Sequence, residues 1–324
     1  MEKVKRRFDK IPIITRLSLG IIFIADSLLK LIPDSAYLIK ENVLTGAYGA
    51  GSFVYPWVAF WANFTANNIN FFVVFAIIIE FLIGLFLILG FLRKFLYIIG
   101  AIYSIVIWLT ISQFGGPYIA GTLDIGATPV YFLLFLLLIF TERNFNTYDK
   151  SIDKVIKNKY KIWQKFAYFK QTKSKNEKTT VFAVSSIAFG AILAVNASLK
   201  LVSGTASNIA SNQLMQILGE PKLLIPFFLF WDKIILPNIH LFLYIYAFSE
   251  FSIAVLLIFG LFRKWVYLAG IIYSLFSWSV IQGFGGPFFA GVTDLASGPL
   301  YILIFVMFIF YNSNLKLSAF YYKK

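Results

Sequence analysis

The sequence predicts an all-α membrane protein whose eight transmembrane helices form two tandem four-helix bundles in parallel orientation. Three observations lead there. Of 324 residues, 59% are hydrophobic and 14% charged, against roughly 25% charged in an average soluble domain. Apolar runs reach about 20 residues, the length that spans a bilayer's hydrocarbon core. Displaced by about 170 residues, the chain also aligns on itself without a gap across four helices.

The repeat register pairs Gly20 with Gly190, Lys30 with Lys200, Trp61 with Trp231, Glu80 with Glu250, Arg93 with Arg263 and Asp124 with Asp294. From Glu80 to Phe140, about 28 of roughly 61 positions are identical, more than shared hydrophobicity yields in one register. The chain therefore divides into a first bundle (1–141), a basic linker (142–180), a second bundle (181–312) and a tail (313–324).

The first apolar run, 11–32, outlasts the core of a signal peptide and has no small-residue cleavage site before Lys30, so it reads as a retained helix. Spans at 71–92, 95–113 and 128–141 complete the first half, and those at 181–202, 240–262, 265–282 and 298–311 form the second. The shorter ones require tilt or a re-entrant turn. Each half also carries an aromatic connection, "VYPWVAFWANF" or "LIPFFLFWDKIIL". These suit short helices at headgroup level, serving as an anchor or, through Trp61 and Trp231, as a lateral doorway for a lipid-soluble ligand. An even number of spans per half makes the repeat parallel, unlike the inverted repeats of many transporters.

The formal charge of +14 is concentrated in "EKVKRR", "LRK", the linker, "FRK" and the final "YYKK". By the positive-inside rule this places both termini in the cytoplasm of a cell membrane, and the charge reads as topology rather than a nucleic-acid surface. The linker fits a solvated tether or an amphipathic surface helix. With no cysteine and the single histidine His240, the chain cannot ligate an iron–sulfur cluster or a bis-histidine haem, and no metal site is expected. Any electron carrier is then diffusible or belongs to a partner.

Glu80 and Glu250 stand mid-span, where an ionised carboxylate is expensive, so each is a candidate for proton chemistry or for a structural hydrogen bond to Tyr103 or Tyr273. Asp26 and Lys30, four apart, share a helical face; the second half retains Lys200 but has Asn196 for the acid. Such lysines either bind an anion or snorkel to the headgroups. The repeated turns "QFGGPYIAGTLD" and "GFGGPFFAGVTD" offer Gly115, Gly116, Gly285 and Gly286 either as an anion-binding nest of amides or as plain tight turns. Asp124 and Asp294 close those turns, for proton uptake or helix capping. Arg93 and Arg263 read as topology markers or as partners of a quinone oxygen.

"TRLSLGIIFIADSLLKL", the embedded Glu80 and "QFGGPYIAGTLD" together resemble the DoxX/DoxD family of four-helix membrane proteins. The DoxD branch includes the large membrane subunit of thiosulfate:quinone oxidoreductase, which oxidises thiosulfate to tetrathionate and reduces a membrane quinone. The resemblance implies a small sulfur oxyanion held by Lys30 or Lys200 with the glycine amides, and quinone protonation through Glu80 or Glu250. It also implies a diffusible quinone as the redox partner, surrounding lipid, and an additional membrane or extracytoplasmic subunit. The alternative is a non-catalytic accessory subunit of a respiratory or sulfur-metabolising complex.

Overall fold

The computed structural model describes residues 10–119, 121–141, 151–157 and 175–315. The basic start, linker residues 142–150 and 158–174 and the end of the tail, which carry much of the charge argument, lie outside the described residues. The first half runs α1 (Ile11–Leu29), α2 (Ser35–Tyr48), α3 (Tyr55–Asn67), α4 (Ile69–Leu89), α5 (Arg93–Leu109), a 3-10 turn (Gln113–Gly115) and α6 (Thr128–Thr141). A short α7 (Ile152–Lys157) leads to the second half. There follow α8 (Lys175–Leu199), α9 (Thr205–Gly219), α10 (Ile225–Ile235), α11 (Ile239–Phe259), α12 (Arg263–Phe276) with a π-helical turn (Ser277–Ile281), a 3-10 turn (Gly283–Gly285) and α13 (Gly298–Leu315).

Five of these helical stretches are long and apolar enough to cross a membrane: Ile11–Leu29, Ile69–Leu89, Thr180–Leu199, Ile225–Phe259 and Arg263–Ile281. The fourth contains α10 and α11 joined through Leu236–Asn238, so the aromatic connection of the second half is continuous with the span that follows it. Helix α5 has 17 residues and α6 only 14, and α6 at about 1.5 Å per residue falls short of a hydrocarbon core. Helices α2 and α9 were not foreseen. Their segments "SAYLIKENVLTGAY" and "TASNIASNQLMQILG" mix amides, hydroxyls and charges with apolar residues, too polar to register as spans.

Helix α6 is apolar all round because it lies inside the molecule, as such helices must. Leu134, Phe135, Leu137 and Leu138 are fully buried, and so are Ile304, Phe305, Met307 and Phe308 on α13. Helices α6 and α13 contact one another, and each also reaches the first helix of the opposite half. One continuous core therefore runs through both halves.

Lipid tails are as apolar as leucine, so close backbone approach rather than hydrophobic expulsion must hold helices together. Glycines provide it. A Cβ on Gly84 would lie 2.7 Å from the Gly20 carbonyl oxygen, and one on Gly20 would lie 2.8 Å from that of Gly84, so α1 and α4 meet backbone to backbone. Gly190 repeats this against the Ala254 carbonyl of α11, while Gly100 and Gly270 receive the rings of Phe135 and Phe305. Gly84→Leu should force α1 and α4 apart and destabilise the protein by about 3 kcal/mol or more, beyond the usual cost of overpacking. Thermal unfolding in detergent measures this, with Gly51→Leu, a position facing open space, expected to unfold like wild type.

Candidate functional site

The α1–α4 contact places the side chains of Lys30 and Glu80 within reach of each other. The Lys30 Nζ donates to Glu80 Oε2 at 2.6 Å, to the Thr293 carbonyl at 2.6 Å and to the Asp26 carbonyl at 3.2 Å. Tyr103 on α5 donates to the other oxygen, Glu80 Oε1, at 2.9 Å. An ammonium has three donors. All three are used, so Lys30 neither snorkels to the headgroups nor presents a vacant anion site, and both alternatives drawn from sequence give way to a buried ion pair.

Asp26 turns to a different set of partners. The Leu295 N–H donates to its Oδ1 at 3.0 Å and the Tyr131 hydroxyl of α6 to its Oδ2. Thr293 and Leu295 belong to the second half, so the loop that closes the first site comes from the opposite repeat. The reverse also holds: Lys200 donates to the Leu123 carbonyl at 2.8 Å, and the Ile125 N–H donates to Asn196 Oδ1 at 3.1 Å. Gly121 and Gly291, both at positive φ, lie against Asn208 and Leu38 of the opposite halves, where a Cβ would meet side chains at 2.8 Å. Each loop thus crosses over.

This exchange reassigns the two loop acids. Asp294 lines the first site, where burial pushes its carboxyl upward against the opposing pull of Lys30. Asp124 goes to the second half, accepting from Ser297 at 2.8 Å and Gln282 at 3.3 Å. Neither caps α6 or α13; they accept from Gly126 and Ala296, two residues ahead, and so fold their own loops.

A cavity of about 120 Å³ opens over the first ion pair, lined by Asp26, Lys30, Glu80, Tyr103, Tyr131 and Asp294 together with Phe23, Phe72, Ala76 and Ile107. Three carboxyl groups therefore face one ammonium. Ile39, Ile111, Ser112 and Thr293 also line an adjoining vestibule of about 290 Å³ that reaches Gly115, Gly116 and Asp124.

The glycine turns are not anion nests. The Gly115 N–H donates to Ser112 at 2.6 Å and that of Gly116 to Gln113 at 3.1 Å, and Gly285 and Gly286 repeat this with Gln282 and Gly283. Gly115, at φ 87, is glycine because the Ile125 backbone passes so closely that a Cβ would lie 2.3 Å from its oxygen. Gly286 faces the buried carboxylate of Glu220, which would repel an anion.

In the second half Lys200 donates to Glu250 at 2.5 Å, to Leu123 and to Asn196 at 3.3 Å. There the pair is sealed, with both side chains 2% exposed. Glu250 therefore lies in packed surroundings and is not the second reactive acid that the repeat suggested. The arginines lie elsewhere. Arg93 pairs through Nε with Asp153 of α7 at 3.4 Å, and Asp153 also accepts the N–H of Leu92 and Arg93. Arg263 donates to the Gly260 carbonyl at 3.2 Å and lies over the Phe182 ring. Neither lines the Glu80 cavity, and nor do Trp61 and Trp231, which pack among Trp57, Phe60 and Phe64 and against Phe276 and Phe227 respectively. Among the described residues no cluster of metal-ligating side chains occurs. Tyr131 escaped sequence reasoning because it reaches Asp26 from α6, and the Thr293 carbonyl because only the crossed loop brings it to Lys30.

The DoxX family model matches one segment, residues 11–113. It holds Asp26, Lys30, Glu80 and Tyr103, while Tyr131 and Asp294 lie beyond the match. No curated protein and no solved structure matches the chain.

Removing one member of a buried ion pair strands the other, typically at 3–5 kcal/mol. Lys30→Met should therefore destabilise the protein by about 3 kcal/mol or more, and adding Glu80→Leu should restore much of the loss. Denaturant unfolding of both variants in one detergent measures the coupling.

Proposed function

We propose that this chain is a quinone-linked oxidoreductase subunit of thiosulfate:quinone type, in which the Glu80 cavity takes the quinone ring. The observation that carries the reading is the arrangement of Lys30, Glu80 and Tyr103. A carboxyl group is poised between an ammonium and a phenol at the wall of a cavity with apolar and aromatic sides, as proton delivery to a reduced quinone oxygen requires. When bound, the quinone supplies the electron chemistry. This chain's residues position the ring, exclude water and hold protons on the Asp26–Glu80–Asp294 cluster. The anion is assigned to a partner subunit, because the lysines and glycine amides of this chain already have protein partners.

In this reading eight helices cross a cell membrane, α6 and α13 shielded within the bundle, with both termini cytoplasmic and lipid around the rim. A chain without cysteine suits accessibility mapping. Lys94→Cys should react with an impermeant maleimide only from the cytoplasmic side and Lys222→Cys only from the other; the same side for both would overturn the topology.

The accessory-subunit reading draws on the sealed second site, which has the character of a structural element. Purified protein with its partner fractions, in liposomes containing quinone, separates the two. Glu80→Gln should reduce thiosulfate-dependent quinone reduction by about 100-fold or more, with assembly intact. Unchanged turnover, or loss of assembly instead, favours the accessory role; absence of any thiosulfate-dependent rate in the intact wild-type assembly removes the oxidoreductase reading.

A further inference from the structure

The two halves differ most where they should match. At the repeat displacement Ala76, on the wall of the first cavity, corresponds to Tyr246, and Thr65 to Ile235. Tyr246 is 5% exposed. Its ring lies between Phe242, at 5.9 Å and 15°, and Tyr273, at 5.3 Å and 22°. Lys200 Nζ stands 4.8 Å from its centroid, and its hydroxyl is 2.6 Å from Ser277 Oγ. Ile235, Val280 and Ile281 close around it in a compact core.

Every one of those contacts has a counterpart in the first half. Phe242 corresponds to Phe72, Tyr273 to Tyr103, Lys200 to Lys30 and Ser277 to Ile107, and all four counterparts line the cavity. Two things are missing: the ring, because position 76 is alanine, and the hydroxyl of Ser277, because position 107 is isoleucine. The empty space is about 120 Å³, on the scale of the roughly 150 Å³ cavity that takes up benzene in an engineered protein.

We infer that the first cavity is a mould for a single planar six-membered ring, stacked between Phe72 and Tyr103 over the Lys30 ammonium, and that Tyr246 is a built-in occupant of the second copy. The protein then has one ring site per chain, and its position is set by residue 76. This deepens the quinone reading by stating how the ring is held and in which half. Ile107 in place of Ser277 removes the hydroxyl partner at one edge of the mould. At that edge the site accordingly prefers a methyl substituent to a hydroxyl, since a buried hydroxyl without a partner is penalised.

Equilibrium binding of tetramethyl-benzoquinone to the purified full chain in detergent, with phenol as comparator, tests the inference without reference to turnover. Wild type should bind one equivalent per chain, more tightly for the quinone than for phenol. Ala76→Tyr should bind none, Ala76→Leu should weaken binding roughly tenfold or more, Tyr246→Ala should gain a second equivalent, and the double variant Ala76→Tyr/Tyr246→Ala should bind one. An azido-quinone should crosslink to peptides of α1, α4 or α5, or of the crossed 293–294 loop, in wild type and to peptides of α8, α11 or α12 in the double variant. Ala76→Leu, the milder change, decides the matter if Ala76→Tyr does not fold. Wild-type-like binding in Ala76→Leu protein of unchanged elution volume, crosslinking in wild type outside the first half and the 293–294 loop, or no binding by wild type overturns the inference. If the ring binds in the expected pattern but thiosulfate drives no reduction, the oxidoreductase reading falls and the ring site stands. If turnover is present and indifferent to residue 76, the reverse holds.

Discussion

A lysine ammonium and a glutamate carboxylate deep among apolar helices cannot persist separately, because each would carry a desolvation penalty of several kcal/mol. The Lys30–Glu80 pair is therefore a constraint on everything around it. It needs α1 and α4 in close contact, which Gly20 and Gly84 allow. It needs acceptors for the remaining lysine protons, which the Asp26 and Thr293 carbonyls provide. It needs a donor for the second carboxylate oxygen, which Tyr103 supplies. The Lys200–Glu250 pair repeats the lysine's requirements with Asn196 and Leu123.

That demand for a fourth element explains the glycine-rich loops. A carbonyl from within the same half would satisfy the lysine equally well in chemistry, yet the loops cross, so each half is incomplete without the other. The consequence is mechanical as well as energetic. A shift of the 291–295 segment would withdraw an acceptor from Lys30 and a donor from Asp26 together, coupling the outer loop of one half to the buried charges of the other.

The asymmetry between the halves shows how one scaffold supports two different outcomes. The first keeps three acids and an alanine around its lysine, which leaves a cavity. The second exchanges Asp26 for Asn196 and Ala76 for Tyr246, removing a charge and filling the void. Close packing of this kind gains contacts, and the two halves share one core through α6 and α13.

The helical class, the internal register and the presence of a lysine and a mid-span glutamate in each half are legible in the sequence, because apolar length, gapless identity and intramembrane charge are properties of the chain itself; that each lysine pairs with the glutamate was not. The DoxX match over residues 11–113 takes in "TRLSLGIIFIADSLLKL" and Glu80, two of the three features that carried the resemblance, and ends at the first residue of "QFGGPYIAGTLD". Which loop meets which lysine was not legible: Asp124 and Asp294 are interchangeable by spacing, and only the path of the backbone through space sends each across the axis. The glycine amides likewise looked vacant until their acceptors at Ser112 and Gln113 were in view. Alanine at 76 and tyrosine at 246 were written in the repeat from the outset. Tertiary structure alone decided that the first leaves a cavity and the second fills one, because a void is a relation among side chains from several helices and no single position encodes it.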